Sequence, residues 1–393
     1  MDPSARAAYD FASRFACKPR WRTGAPGRIN LIGEHTDYNL GFALPMAIDR
    51  YAAIAAAPAA TNLSRLHAAD LNETIQLDLT QQASIHAFIS TVATDSSDHF
   101  APHLLGVAAQ FIKRGHVLPN IDLVLASSIP IGAGLASSAA IKVAMCNLLA
   151  SAIGISLSPM ETALLCQRAE HESVGTPCGI MDMLTSAIAH AEASQQSSHA
   201  LLLDCQTNHA ERIPLPSSGS LAFLVVDTGV KHALAGSEYA VRRRTCEQAA
   251  MKLHVSSLRD ATMDALHRAS LTDEERRCAL HVVQENQRTL DAAQALQERS
   301  FDRLGEILFA GHQSLRELYQ VSCAELDTIV DAARELRESG LVYGARMTGG
   351  GFGGCAIVLC PPGHESQIRE RIESAFQSAH GRKPRIDRVR AVS

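Results

Sequence analysis

The most informative segment of this chain is PIGAGLASSAAIKVAMCNLLASAIG, which runs from Pro130 to Gly154. It begins as a glycine-containing loop and continues as an alanine-rich helical run that stops at Gly154. Gly132 and Gly134 let the backbone approach an anion, and the first helical turn offers unpaired N–H groups and the positive end of the helix dipole. A helix N-cap after a flexible loop is the alternative, but it accounts for one serine and one glycine only. The segment therefore favours a phosphate-binding loop.

Two other kinds of glycine-rich nucleotide site, the Walker A loop and the dinucleotide-binding loop, are excluded. None of the six lysines is followed by Ser or Thr, as a Walker A loop requires. Gly349, Gly351 and Gly354 have the spacing of a dinucleotide-binding loop, but Cys355–Cys360 is typical of a strand and not of the helix that such a loop needs. So many glycines in six positions instead predict a backbone packed closely against the phosphate loop.

A polar loop near the N-terminus is the second candidate site. Over Leu31–Ala57 the pattern predicts a strand, a polar loop and another strand. Glu34, His35 and Asp37 fall within four positions of that loop, and this concentration of hydrogen-bonding groups suits a polyhydroxylated ligand such as a sugar. A solvated loop fits the composition equally well, so both interpretations stay open at this point.

The third candidate is Asp182, which ends the stretch Cys178–Asp182 (CGIMD) among small and apolar residues. Carboxylates in such surroundings are rarely buried without a partner, and Arg28 is the candidate partner. Either a structural ion pair or a catalytic pair fits these residues.

Length and composition set the class of protein. The chain has 393 residues, of which 46% are hydrophobic and 20% charged, as expected for a globular protein of two domains or of one large α/β unit with an insertion. A formal charge of −5 argues against a nucleic-acid partner, and no stretch reaches the ~20 apolar residues of a membrane span, so we expect a cytoplasmic protein. The 10 cysteines contain no CxxC pair and are expected to be reduced.

One local signal predicts a helix. Ser158, Pro159 and Glu161 form a capping-box pattern, which is typical of a helix N-terminus.

Four blocks of the sequence resemble a known family. GRINLIGEHTDYNLGFALPMAI (Gly27–Ile48) is similar to the galactokinase signature, and PIGAGLASSAA is similar to the ATP-phosphate motif of the wider GHMP kinases. CGIMD and RMTGGGFGGC resemble the remaining galactokinase blocks. The resemblance implies an α+β, two-lobed GHMP-kinase fold with mixed, mostly antiparallel sheets and helices, and an active site in the cleft between the lobes. We place the N-terminal lobe at 1–205 and the C-terminal lobe at 206–393.

The implied activity is ATP- and Mg²⁺-dependent phosphorylation of the anomeric hydroxyl of D-galactose to α-D-galactose 1-phosphate. Carried over to this chain, the resemblance implies that Arg28 and Asp182 flank the anomeric hydroxyl. It assigns Glu34 and His35 to the 6-hydroxyl end, and Asp37 to the 3- and 4-hydroxyls. Whether Asp182 accepts the proton or mainly orients the hydroxyl is left open. A monomer or weak oligomer is expected.

Further residues follow from the same resemblance. Tyr239, in the stretch GSEY, would fix the axial 4-hydroxyl, and Ser138 with Glu170 would bind Mg²⁺. The residues expected to wrap the phosphates of ATP are Gly132, Ala133, Gly134, Leu135, Ala136, Ser137 and Ser138.

The sequence also departs from the family pattern. Ala136 replaces a serine, Met183 replaces a glutamine, and Phe100 and His103 replace a larger aromatic pair near the nucleotide. Two alternatives are kept. One is a kinase for N-acetylgalactosamine, galacturonate or L-arabinose, and the other is a non-catalytic regulator that binds galactose and ATP.

Overall fold

The computed structural model describes residues 1–92, 100–193, 198–216, 220–230 and 235–392. The α-helices are α1 (Pro3–Phe15), α2 (Gln82–Val92), α3 (Ala101–Lys113), α4 (Ser137–Ile153), α5 (Pro159–Ala169), α6 (Met181–Ala191), α7 (Ala235–Lys252), α8 (Met263–Arg268), α9 (Asp273–Gln297), α10 (Phe301–Ser314), α11 (Ala324–Glu338) and α12 (Glu365–His380). The strands are β1 (Trp21–Asn30), β2 (Phe42–Ala43), β3 (Pro45–Pro58), β4 (Ser64–Ala68), β5 (Glu73–Leu77), β6 (Ile121–Ser127), β7 (His199–Asp204), β8 (His209–Pro214), β9 (Ala222–Asp227), β10 (Gly344–Thr348), β11 (Cys355–Cys360) and β12 (Arg385–Val389). Short π-helical turns at Glu170–Val174 and Leu315–Tyr319 extend α5 and α10.

The strands form mixed, mostly antiparallel sheets. The first sheet has the order β1-β3-β6-β4-β5, the second β10-β11-β9-β12 and the third β2-β7-β8. Only the pairing of β4 with β6 is parallel among the strands that the structure describes. Helices α4 and α6 cover β1 and β3, while α10 and α11 pack on β10. This is the α+β arrangement that the sequence predicted.

The ends of two sheets meet at one point. Thr348, the last residue of β10, accepts a hydrogen bond from the Asn30 backbone N–H at 2.9 Å and donates one to the Asn30 carbonyl at 3.0 Å. The end of β1 and the end of β10 are thereby joined. The polar loop after β1 and the glycine loop after β10 consequently emerge side by side.

Local signals in the sequence are largely confirmed. Ser158 caps α5 in a full capping box with Glu161, and Cys355–Cys360 is the strand β11. The strand expected from Leu31 was wrong, because the regular ladder covers Trp21–Asn30 and ends before it. Gly33 has a φ of 93°, a conformation that a continuous strand cannot contain.

The proposed division between 205 and 206 falls in the turn that joins β7 to β8, and it stays a prediction. Among the described residues, no helix combines the length and the apolar character needed to cross a membrane.

Candidate active site

The predicted phosphate loop lies between β6 and α4, and the second glycine loop packs directly against it. Gly132 and Gly134 have φ values of 75° and 72°, and Ala136 at the N-cap of α4 has a φ of 59°. A Cβ atom on Gly349 would lie 2.9 Å from the Gly134 carbonyl oxygen. The predicted close packing of the two glycine loops is therefore confirmed, and it depends on glycine at position 349.

Two adjoining cavities carry the candidate site residues. The loop cavity, of about 340 Å³, is lined by the predicted phosphate-binding residues from Gly132 to Ser138 together with Phe100 and His103. The inner cavity, of about 170 Å³, is lined by Glu34, His35, Asp37, Glu170, Met183, Tyr239 and other residues. Arg28, Ser138, Asp182 and Gly350 line both. The structure thus brings the sequence-predicted residues together around one junction.

Arg28 and Asp182 form a bidentate ion pair at this junction. The Arg28 guanidinium donates from Nε to Asp182 Oδ1 at 2.9 Å and from Nη2 to Oδ2 at 2.8 Å. Its third nitrogen, Nη1, donates to the Gly134 carbonyl at 2.6 Å. Arg28 is 5% exposed and Asp182 31% exposed, so the carboxylate faces the cavities while the guanidinium is enclosed. Arg28 therefore ties the carboxylate to the phosphate loop in a fixed orientation.

Glu34 is a buried carboxylate in the wall of the inner cavity. It is 1% exposed and lies in ion contact with Arg346 on β10. Burial raises the pKa of Glu34 to about 7, with Arg346 acting in the opposite direction and Glu285 adding to the rise. Glu34 is thus close to the balance between its charged and neutral forms at neutral pH.

His35 is held by the protein through both ring nitrogens. It has a φ of 62°, and its Nε2 donates to the Gly350 carbonyl at 3.2 Å. Because a carbonyl can only accept, Nδ1 of the neutral ring accepts from the Tyr38 hydroxyl at 2.8 Å. Burial lowers the pKa of His35 to about 3, so the ring stays neutral. Its implied contact with a 6-hydroxyl stays a prediction.

Asp37 is buried beside Gly179 and near Asp182. Burial, and to a lesser extent the negative charge of Asp182, raise the pKa of Asp37 to about 6. A Cβ atom at Gly179 would lie only 1.9 Å from Asp37 Oδ2, so glycine is needed there for the carboxylate to occupy its position.

Tyr239 also lines the inner cavity, and its ring centroid lies 5.4 Å from that of His35. Burial raises the pKa of Tyr239 well above its ordinary value, so its hydroxyl stays a donor.

Glu170, a predicted magnesium ligand, is paired with a lysine. Lys142 on α4 is fully buried, contacts the Glu170 carboxylate and donates to His103 Nδ1 at 2.6 Å. The part of the chain that the structure describes contains no group of three or more His, Cys, Asp or Glu side chains able to hold a metal ion. Ser138 and Glu170 nevertheless both line the inner cavity. One hydroxyl and one carboxylate fit Mg²⁺, which keeps several waters and binds substrate phosphates.

Several residues of this site were missed by the sequence analysis. Arg346 stands at the start of the quoted block RMTGGGFGGC and Lys142 inside the quoted helix, so both were visible without being given a role. Glu285, on α9, contacts Arg346 but lies outside every quoted motif, and no local signal indicates it. The departures Phe100 and Met183 are buried residues that line the loop cavity and the inner cavity, respectively.

The chain matches three family signatures in order. Residues 9–58 match the galactokinase galactose-binding signature, residues 103–190 the GHMP kinases N terminal domain and residues 292–378 the GHMP kinases C terminal domain. The first range contains the polar loop that follows β1. The second range contains the phosphate loop and all of α6 except its last residue.

Known proteins resemble the chain over most of its length. It is 38% identical over 357 residues to a galactokinase of Thermotoga maritima, covering 91% of this chain and 94% of that protein. It is 38% identical over 379 residues to a galactokinase of Bos taurus, covering 95% of this chain and 92% of that protein. The crystal structure of Lactococcus lactis galactokinase complexed with galactose superposes with a TM-score of 0.87 at 26% identity, covering 98% and 97%. A mevalonate kinase of Methanococcus jannaschii shares the fold, with a TM-score of 0.65 at 19% identity. The match covers 95% of this chain and 100% of that protein.

Proposed function

This chain belongs to the galactokinase family, and we propose that it transfers the γ-phosphoryl group of ATP to the 1-hydroxyl of D-galactose, giving α-D-galactose 1-phosphate and ADP. The observation that carries this proposal is the Arg28–Asp182 pair, which lies where the loop cavity meets the inner cavity. Phosphoryl transfer requires a nucleophile in line with the phosphate, and this junction provides a place where the two reactants meet.

Asp182 acts on the sugar hydroxyl. Its carboxylate accepts the proton as the 1-hydroxyl oxygen bonds to the γ-phosphorus and the bond to the bridging oxygen of ADP breaks. Both carboxylate oxygens also accept hydrogen bonds from Arg28, which fixes the orientation of the carboxylate. We therefore assign Asp182 an orienting role together with proton acceptance.

Arg28 and the phosphate loop act on the phosphate charge. The enclosed guanidinium is held against the Gly134 carbonyl in the wall of the loop cavity, and its positive charge there neutralises negative charge on the transferring group. The backbone N–H groups at the start of α4 bind the remaining phosphates.

The nucleoside part of ATP is assigned to a neighbouring cavity of about 500 Å³. Phe100, Ile131 and Ser137 line both this cavity and the loop cavity.

The inner cavity receives the sugar. Glu34 accepts from the 6-hydroxyl, with His35 at the same end, while Asp37 and Tyr239 bind the 3- and 4-hydroxyls. All four side chains line one cavity, which supports their assignment to a single polar ligand. Kinases for related sugars are not favoured, because residues 9–58 match a galactose-binding signature.

Magnesium enters this proposal together with ATP. Ser138 and Glu170 would hold the ion, whose positive charge would neutralise the phosphates when it is bound. The Lys142 ammonium already compensates the Glu170 carboxylate. We therefore expect weak cation binding until phosphate oxygens supply further negative charge.

An assay of ADP release with a panel of free sugars tests the function. At pH 8, where Glu34 is ionised, galactose should be phosphorylated and galacturonate should fail by at least ~100-fold, because its carboxylate would meet that of Glu34. Glucose should also fail, since its equatorial 4-hydroxyl leaves buried polar groups unpaired. Equal rates for glucose and galactose would contradict the assignment of the inner cavity. The cytoplasmic location and the monomeric or weakly oligomeric state stay predictions.

A further inference from the structure

Arg346 occupies an unusual place, between two buried carboxylates behind the inner cavity. It is fully buried on β10, and its Nη2 contacts Glu34 and lies 2.9 Å from Glu285 Oε1. Glu34 lines the inner cavity, whereas Glu285 does not. Arg346 thus connects a carboxylate of the candidate sugar site to one outside it.

Glu285 is held in place independently of the cavity. Its Oε2 accepts from Arg288 Nε at 2.7 Å, and its Oε1 accepts from the Gly33 backbone N–H at 3.3 Å. Burial alone would raise the pKa of Glu285, but Arg346 and Arg288 together lower it to about 2. Glu285 is therefore a permanent negative charge that compensates Arg346 whether or not Glu34 is ionised.

Glu34 keeps its capacity for hydrogen bonding. Its carboxylate contacts Arg346 as an ion pair and the Gly349 backbone N–H, and no other side chain of the described residues donates a hydrogen bond to its oxygens. The Glu34 backbone carbonyl accepts from His281 Nε2 at 3.2 Å, which fixes the main chain behind the side chain. A buried carboxylate with unused lone pairs in a cavity wall is arranged to accept hydrogen bonds from a ligand.

We propose that Arg346, anchored by Glu285, is a positioning residue for sugar selection, which holds the Glu34 carboxylate directed toward the 6-hydroxyl of galactose. This inference rests on the proposed function, because it requires Glu34 to bind that hydroxyl. Arg346 itself does not line the inner cavity. A purely structural buried ion pair is the alternative, and it predicts a loss of stability without a change in preference between sugars.

The test compares galactose with 6-deoxygalactose, which lacks only the 6-hydroxyl. The native enzyme should prefer galactose by at least ~10-fold in kcat/KM, the worth of one hydrogen bond to a charged group. Arg346→Met should reduce that preference to below about 3-fold. Its kcat/KM for 6-deoxygalactose and its KM for ATP should change much less. Arg346→Lys keeps the charge and should restore part of the preference.

A second variant covers the case in which Arg346→Met does not fold. Glu285→Gln leaves the arginine but removes its anchor, so Arg346 should draw Glu34 away from the ligand and lower the preference by about 3-fold or more. Arg65→Met removes an arginine that pairs with Asp122 at 2.8 Å in the first sheet, and it should leave the preference unchanged.

The outcomes separate this inference from the proposed function. If Glu34→Ala abolishes the preference while both Arg346→Met and Glu285→Gln retain it, the positioning role is overturned and Arg346 is structural. If Glu34→Ala, which removes the acceptor, retains the preference, the assignment of Glu34 to the 6-hydroxyl fails and the inference fails with it, while phosphorylation of galactose would still be measured directly.

Discussion

Replacing Gly179 by alanine tests the sugar site without altering any proposed ligand. The added Cβ would lie 1.9 Å from Asp37 Oδ2 and 2.2 Å from Asp37 Cγ, whereas ordinary contact begins near 3.4 Å. The Asp37 carboxylate must therefore move by about 1.5 Å or the surrounding backbone must yield. Either response displaces an acceptor that the proposal assigns to the 3- and 4-hydroxyls of galactose.

The size of the effect follows from this displacement. A hydrogen bond to a charged group contributes ~1.5–3 kcal/mol, and a misplacement of ~1 Å can cost ~100-fold in rate. We expect kcat/KM for galactose to fall between about 10-fold and about 100-fold, with a change in KM for ATP below about 2-fold. Overpacking should also lower the free energy of unfolding by ~1–3 kcal/mol. Steady-state kinetics and denaturant titration measure both quantities.

Two controls make the test specific. Gly24→Ala places its Cβ 3.6 Å from the nearest atom, an ordinary contact, and should leave the kinetics unchanged. Asp37→Ala removes the two closest atoms, Oδ2 and Cγ, and leaves only Asp37 Cβ, at 2.8 Å from the added Cβ. The effect of Gly179→Ala on kcat/KM should therefore be much smaller in the Asp37→Ala background than in the native enzyme. If Gly179→Ala folds and keeps kcat/KM for galactose within about 2-fold of the native value, the placement of Asp37 in the sugar site is refuted.

Three further predictions concern the junction and its charges. Asp182→Asn should reduce kcat by about 100-fold or more with the fold intact, as judged by circular dichroism, and near-native turnover would remove Asp182 from the chemistry. Glu170→Gln should raise the Mg²⁺ concentration needed for half-maximal activity while leaving calorimetric binding of galactose alone unchanged. An unaltered Mg²⁺ requirement would exclude Glu170 as a ligand. Because the pKa values of Asp37 and Glu34 are raised to about 6 and about 7, their acceptor forms accumulate as pH increases, so KM for galactose should fall between pH 5 and pH 8. A KM that is constant over this range would show that neither carboxylate must be ionised to bind the sugar.

Features that depend on neighbouring residues were predictable from the sequence. The capping box at Ser158, the strand Cys355–Cys360 and the helix that begins at Ser137 each follow from side chains within a few positions, and the structure contains all three. The close packing of the glycine loops was also predictable, since glycines in such number indicate backbone approach. The strand predicted from Leu31 was wrong, because apolar patterning alone does not indicate the backbone conformation of a single residue. Leu31 is buried as a strand residue would be, but Gly33 adopts a conformation that apolar patterning does not indicate.

The pairing of the buried charges could be seen only in the folded chain. Arg28 and Asp182 are 154 positions apart, and the sequence could name Arg28 only as a candidate partner, with a structural and a catalytic pair both open. The contacts of Arg346 with Glu34 and Glu285, and of Lys142 with Glu170, were not predicted at all. Periodicity and local motifs describe which face of an element is apolar, but they carry no information about which distant element covers it. A buried charge is stabilised by whatever opposite charge the packing of helices and sheets brings within a few ångströms, so its partner is a property of the assembled fold.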